Sequence, residues 1–194
     1  MLGQAALAMW WDMAPAMRQE FEHWHTHEHF PERLALPGFL RGSRWADQGG
    51  GEGFFILYEL AAYEALVSPE YLARLNDPTP WSRQLMPHHR NMVRSLCHVR
   101  SGYGRGLGGS MATLRLERAL ATLAERKGVS AAHLLQAQSM AGAPQTAEQK
   151  LRGGDAEAPW VGLIGGYDED AVTRAANELV GDGVMGLYRL SYLL

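Results

Sequence analysis

The chain has 194 residues, 46% of them hydrophobic and 20% charged, with a formal net charge of −3. That composition supplies a full core and excludes a disordered chain, and lysines and arginines scattered without a basic run exclude a phosphate-tracking surface, so nucleic acid is not expected as a partner. A lone cysteine, Cys97, excludes an intrachain disulfide and suits a reducing cytoplasm, the expected location.

Residues 5–13 place Leu7, Met9, Trp11 and Met13 on one face and Ala6, Ala8 and Trp10 on the other, the pattern of a strand covered on both sides. This opening segment has no cationic start and runs straight into Asp12, so it reads as neither a signal peptide nor a membrane span. Pro15 suits the first position of a helix, along which Met17, Phe21 and Trp24 recur at helical spacing. Pro31 ends or restarts that helix, and Pro37-Gly38 closes the helical region. A second strand is expected from Phe39 to Trp45, a glycine-rich turn from Gln48 to Gly53, and a third strand from Phe54 to Leu60.

Ser68-Pro69-Glu70 supplies a cap, a proline at the first helical position and an acid in the first turn. A proline-rich insert near 77–90 comes next, then a fourth strand from about Asn91 to Tyr103 and a glycine-rich linker from Gly102 to Gly109. The same order then repeats with less ornament. A strand is expected over Met111 to Leu116, a helix over Arg118 to Lys127, and strands over His133 to Met140 and Pro159 to Gly166. A helix capped by Asp168 and a last strand over Met185 to Leu193 complete the copy. The polar stretch from Ala141 to Ala158 is long for a hairpin loop and reads as mobile or as a lid. The expected architecture is therefore α+β: two ferredoxin-like βαββαβ repeats, residues 1–106 and 107–194, with antiparallel sheets closing into one barrel within the chain.

His23, His25, His27 and His29 sit at every second position before Pro31. At helical spacing, Glu28 falls near the apolar stripe, His25 and His29 flank it, and His23 and His27 face solvent. A neutral imidazole at His29 would relay a proton or hydrogen-bond a ligand oxygen; the plainer reading is a histidine bonded to a helix-end carbonyl. His25 to His29 also satisfies the H-x-x-E-H pattern, so the alternative is a zinc enzyme using His25, Glu28 and His29, with Cys97 as a conceivable further ligand. Tyr58 and Glu59 lie on opposite faces of the third strand; an inward Glu59 needs a partner, for which Arg41, Arg44, Arg115 and Arg189 are available. His88 and His89, in the proline-flanked insert, read as surface residues, and Asp12 as a cap. The glycines of residues 102–106 lack the lysine of a phosphate loop.

With Trp24, Glu28-His29-Phe30-Pro31-Glu32-Arg33-Leu34, Pro37-Gly38-Phe39-Leu40 and Leu57-Tyr58-Glu59-Leu60 in place, residues 5–103 resemble the dimeric α/β-barrel superfamily, and within it the EthD-like proteins. The second half matches by order of elements only. The resemblance implies two sheets enclosing a cavity, here with the usual twin fused into one chain, and leaves a further homodimer open. It implies a small, largely apolar or aromatic molecule in the cavity and cofactor-independent catabolic chemistry, with no cofactor and no metal assigned. His29 is the catalytic candidate, and His25, Tyr58, Glu59 and Arg41 are the ligand-binding candidates. The superfamily also holds haem-handling enzymes and members with no assigned activity, so a non-catalytic binding module with a filled barrel is the competing expectation.

Overall fold

The computed structural model describes residues 1–51, 53–117, 120, 123, 125–139 and 142–194. Its strands are β1 (Ala5–Met13), β2 (Phe39–Asp47), β3 (Gly53–Leu60), β4 (His89–Tyr103), β5 (Ser110–Arg115), β6 (Val129–Ala137), β7 (Trp160–Gly166) and β8 (Val184–Leu193). The helices are α1 (Arg18–Trp24), α2 (Phe30–Leu34), α3 (Pro69–Asn76), α4 (Pro80–Leu85), α5 (Ala147–Leu151) and α6 (Glu169–Val180). Most strands lie where the hydrophobic alternation puts them. The sixth begins earlier than expected, because Gly128, at φ +93°, turns the chain directly into Val129. The helix expected over Arg118 to Lys127 falls largely outside the described residues.

All pairings are antiparallel, and the eight strands close into a barrel in the order β1-β3-β2-β8-β5-β7-β6-β4. Read from β4, the order is fourth, first, third, second in the first half and again in the second. The halves join where β2 meets β8 and where the far end of the bent strand β4 meets β6. A register shift between Val99 and Ser101 lets β4 serve β1 with its first part and β6 with its second.

Strand alternation divides the core into three layers. Inward side chains of both halves, including Trp10, Trp45, Phe55, Leu57, Met111, Leu135, Leu163 and Tyr188, fill the barrel. Trp10 and Phe55 have ring centroids 5.0 Å apart, and the Trp10 indole N–H donates to Thr113 Oγ1 at 3.2 Å. Outward side chains of β1 and β3 pack under α1 to α4, whereas those of β5 and β7 pack under α6. The space expected between the two sheets is thus occupied, among the described residues, by large aromatic and aliphatic side chains, with a cavity of about 10 Å³ at the mouth beside Arg41 and Glu59. Among the described residues, no helix is long and apolar enough to cross a membrane.

Candidate functional site

The helix after β1 is not regular. Pro15–Met17 forms a 3-10 turn, α1 carries Phe21 and Trp24 onto the sheet, and His25–His29 forms a π-turn closed by the Phe30 N–H on the His25 carbonyl. The cause lies two residues on. Pro31 has no N–H to give, and its ring crowds the carbonyl four residues back, so a wider turn relieves both before α2 resumes. Phe30 then pins α2 to the sheet. Its ring occupies the place of a side chain on Gly42 of β2, where a Cβ would fall 2.3 Å from the ring.

This wide turn carries His25 and His29 to the sheet side, 1% and 7% exposed, with their rings stacked at 5.4 Å. His23 and His27 remain outside, as helical spacing predicts. Glu28 does not join the buried pair: it accepts from Trp24 Nε1 at 3.0 Å and from Thr79 Oγ1 at 2.6 Å, on the flank facing α4. Cys97 faces the barrel interior across the sheet, and burial pushes its thiol pKa up to about 12. The components of the zinc pattern therefore point to three different places. Among the described residues, no group of three His, Cys, Asp or Glu side chains comes together to hold a metal.

His25 and His29 instead border a small void between the sheet and the helices. Its floor is the outward face of β1, β3 and β4, with Leu7, Met9, Trp11, Tyr58, His89, Met92 and Arg94. Its walls are Trp24, Arg33, Tyr71, Leu75 and Met86, and its cover is Glu148 on α5 with Arg152 just beyond. About 30 Å³ is free, room for roughly two waters. The cover belongs to the second half of the chain: α5 lies within the long connection between β6 and β7. That connection is tied across by Arg33 to Glu148, by Asn76 Oδ1 to the Ala147 N–H at 3.1 Å, and by backbone bonds between Ala156 and both Met92 and Arg94. The lid-like stretch is therefore a strap with its own helix, N-capped by Thr146.

The electrostatics derive from burial among arginines. Burial and then Arg44 hold the His25 pKa well below the usual value, and burial and then Arg33 do the same for His29. Burial and then Arg152 bring His89 down to about 3. All three are therefore neutral imidazoles at physiological pH. His89 Nδ1 lies 3.1 Å from the Met86 carbonyl, which only accepts, so Nδ1 carries the proton and Nε2 is the ring's acceptor. Burial also raises the Tyr58 pKa, keeping it a phenol. Burial opposes the Arg33 charge, but Glu148, with Tyr71 and Tyr58 adding to it, outweighs burial and raises the Arg33 pKa. Among the described residues, six buried polar atoms around the void have no hydrogen-bond partner: Trp11 Nε1, both ring nitrogens of His25, His29 Nδ1, Arg33 Nη1 and Tyr58 Oη.

Of the residues singled out in the sequence, the fold gathers His25, His29 and Tyr58 at this void. Glu59 and Arg41 lie on the opposite side of the sheet, at the barrel mouth. There Glu59 is held by Arg41 at 2.6 Å and by the Leu2 N–H at 2.6 Å, so its inward carboxylate is paired. His89, read as a surface residue, is 7% exposed and lines the void, because β4 begins two residues earlier than its apolar run suggests; His88 stays outside. Trp11, Arg33, Arg94, Glu148 and Arg152 also belong to the site. Arg33 sits four residues after His29, which is a usable signal. The contribution of Glu148 and Arg152, more than a hundred residues away, has none.

No protein-family model and no curated protein matches the chain. Its fold does match solved structures along nearly its whole length. An anthrone oxidase-like protein superposes with a TM-score of 0.60 at 10% identity, covering 100% of this chain and 94% of that one. A provisionally assigned monooxygenase from Fusobacterium nucleatum gives 0.60 at 8% identity, covering 100% and 95%. A heme-binding protein from Thermus thermophilus gives 0.50 at 9% identity, covering 98% and 92%. Haem itself does not fit the site described here: the free space is about 30 Å³, an order of magnitude below that of ordinary cofactor pockets, and His25 and His29 are wedged between Phe30 and Trp24. At this level of identity the likeness establishes a shared α/β-barrel fold.

Proposed function

We propose that the chain is a single-chain α/β barrel of two ferredoxin-like halves, divided near residue 106 and akin to the EthD-like proteins, that binds a small organic molecule in the first half. The repeated strand order supports the division. The pocket of this proposal is the void between sheet and helices, since the barrel interior is filled. The observation that carries it is the convergence of unpartnered, buried polar atoms on one void. Such atoms cost about 1–3 kcal/mol each when left dry, so their concentration at one place is expected where a bound molecule satisfies them. The superposed structures, an anthrone oxidase-like protein, a provisionally assigned monooxygenase and a heme-binding protein, support small-molecule binding in this fold. In this reading His29 is the group that exchanges a proton or hydrogen-bonds a ligand oxygen, with His25 and Tyr58 beside it. Arg41 and Glu59 form a separate pair at the barrel mouth.

A thermal-shift panel of small aromatics, phenols, lactones and organic acids tests this. At least one class should raise Tm in proportion to occupancy. Leu75→Trp, which fills the void, should abolish that rise. A panel that shifts nothing, or a shift that survives Leu75→Trp in a folded variant, refutes the reading.

A further inference from the structure

Hydrogen-bond bookkeeping in the same void narrows the chemistry of its occupant. Trp11 Nε1 and Arg33 Nη1 can only donate; Tyr58 offers one O–H, and a neutral His25 offers one N–H whichever nitrogen carries it. Against these donors stand the second His25 nitrogen, the Tyr58 oxygen and His89 Nε2, while His29 Nδ1 donates or accepts according to its tautomer. Two waters, which the space would hold, bring as many hydrogens as lone pairs and leave that surplus of donors standing. A carboxylate brings acceptors alone, about four lone-pair sites on two oxygens. Three guanidinium groups, Arg33, Arg94 and Arg152, meet three carboxylates around the void: Glu148 in the lining, Asp155, which binds Arg152 from outside it at 2.6 and 2.8 Å, and Glu32, whose Oε2 lies 4.0 Å from Arg33 Nη1. Arg94 donates to the Tyr71 hydroxyl at 3.0 Å.

We infer that the pocket is built for an oxyanion, a carboxylate held by Trp11, Tyr58, His25 and Arg33. This rests on the small-molecule reading above and sharpens it from an apolar molecule to an acid. The free volume accepts a group the size of formate without displacing any side chain. A larger acid would seat its carboxylate there and push its apolar body against Met9, Met86 and Met92, whose unbranched side chains adapt.

The test compares formate, acetate and benzoate with formamide, acetamide and benzamide, at constant pH and ionic strength. Binding is read by thermal shift and calorimetry on the full chain. The acids should bind at least tenfold more tightly than their amides. Trp11→Phe and Tyr58→Phe each remove one donor and little volume, and should each weaken acetate about tenfold or more without unfolding the protein, as expected for a hydrogen bond to a charged group. Formate or acetate binding without benzoate would identify a free small anion as the occupant, and benzoate binding more tightly than acetate would identify the head of an organic acid. Acids and amides binding equally would overturn the oxyanion assignment and leave the pocket reading intact. Binding of other panel compounds but no acid would do the same. If nothing binds, the void holds water and both fail.

Discussion

Replacing Glu148 by alanine gives the most quantitative check on how this site is closed. Glu148 and Arg33 have side chains 4% and 3% exposed, and Glu148 is the carboxylate to which Arg33 donates. Removing it strands a guanidinium in a dry layer, a change worth about 3–5 kcal/mol when one member of a buried pair is deleted. In a chain of this size each kcal/mol corresponds to about 2–4 °C, so Tm should fall by roughly 6–20 °C. Arg152, 3.9 Å from Glu148, keeps its bidentate bond to Asp155, and the carboxylate left nearest Arg33, Glu32, stands 4.0 Å from Nη1, beyond hydrogen-bond distance. Urea unfolding followed by tryptophan fluorescence reads the loss. The double variant Arg33→Met with Glu148→Leu should recover about 2 kcal/mol or more of it, because the unpaired charge goes too. Glu169→Ala, which breaks an exposed pair with Arg189, should leave the midpoint unchanged. If Glu148→Ala costs under about 1 kcal/mol, or the double variant is weaker than the single one, the strap is not anchored by this pair.

Acid should weaken the protein through its buried histidines. His89 titrates near 6.5 in the unfolded chain and at about 3 in the fold. Its contribution is complete above the unfolded value, and it is lost as pH falls from there toward 3, by up to about 1.4 kcal/mol per pH unit, with His25 and His29 adding in the same direction. His89→Gln should therefore flatten the dependence of the urea midpoint on pH between about 6 and 4, and an unchanged slope would contradict the assignment. Gly42→Ala forces a methyl group against the Phe30 ring and should cost about 1–3 kcal/mol, together with any ligand binding, since Phe30 holds the π-turn in place. Trp45→Ala empties a fully buried site inside the barrel and should cost about 3–5 kcal/mol in a urea melt while leaving ligand-induced stabilisation intact.

The barrel was legible because its strands alternate so plainly. Leu7, Met9 and Trp11 opposite Ala6, Ala8 and Trp10 announce two buried faces, and the strand order in the barrel repeats. The sequence could not say which face of β3 looked inward, since Phe54 to Leu60 is apolar throughout apart from Glu59; only pairing within the sheet put Tyr58 under the helices and Glu59 in the barrel. Helical spacing separated His25, Glu28 and His29 from the solvent-facing His23 and His27, but misplaced Glu28, which turns to Trp24 and Thr79. An ideal helix does not include the π-turn that Pro31 imposes. His89 was hidden by its proline-rich flank, and Glu148 by sequence distance. The strap that brings Glu148 home has the composition of a loop and declares itself only through the Arg33 it neutralises.

The location of the site within the fold is the central claim, and the tryptophan indole N–H resonances report on it directly. Trp11 faces the helix-side void, whereas Trp10 and Trp45 lie inside the barrel. Titration of the ¹⁵N-labelled protein with acetate should move the Trp11 indole resonance, with its unpartnered N–H, and leave those of Trp10 and Trp45 in place. Movement of Trp10 or Trp45 with Trp11 unchanged would put the ligand inside the barrel and contradict the account.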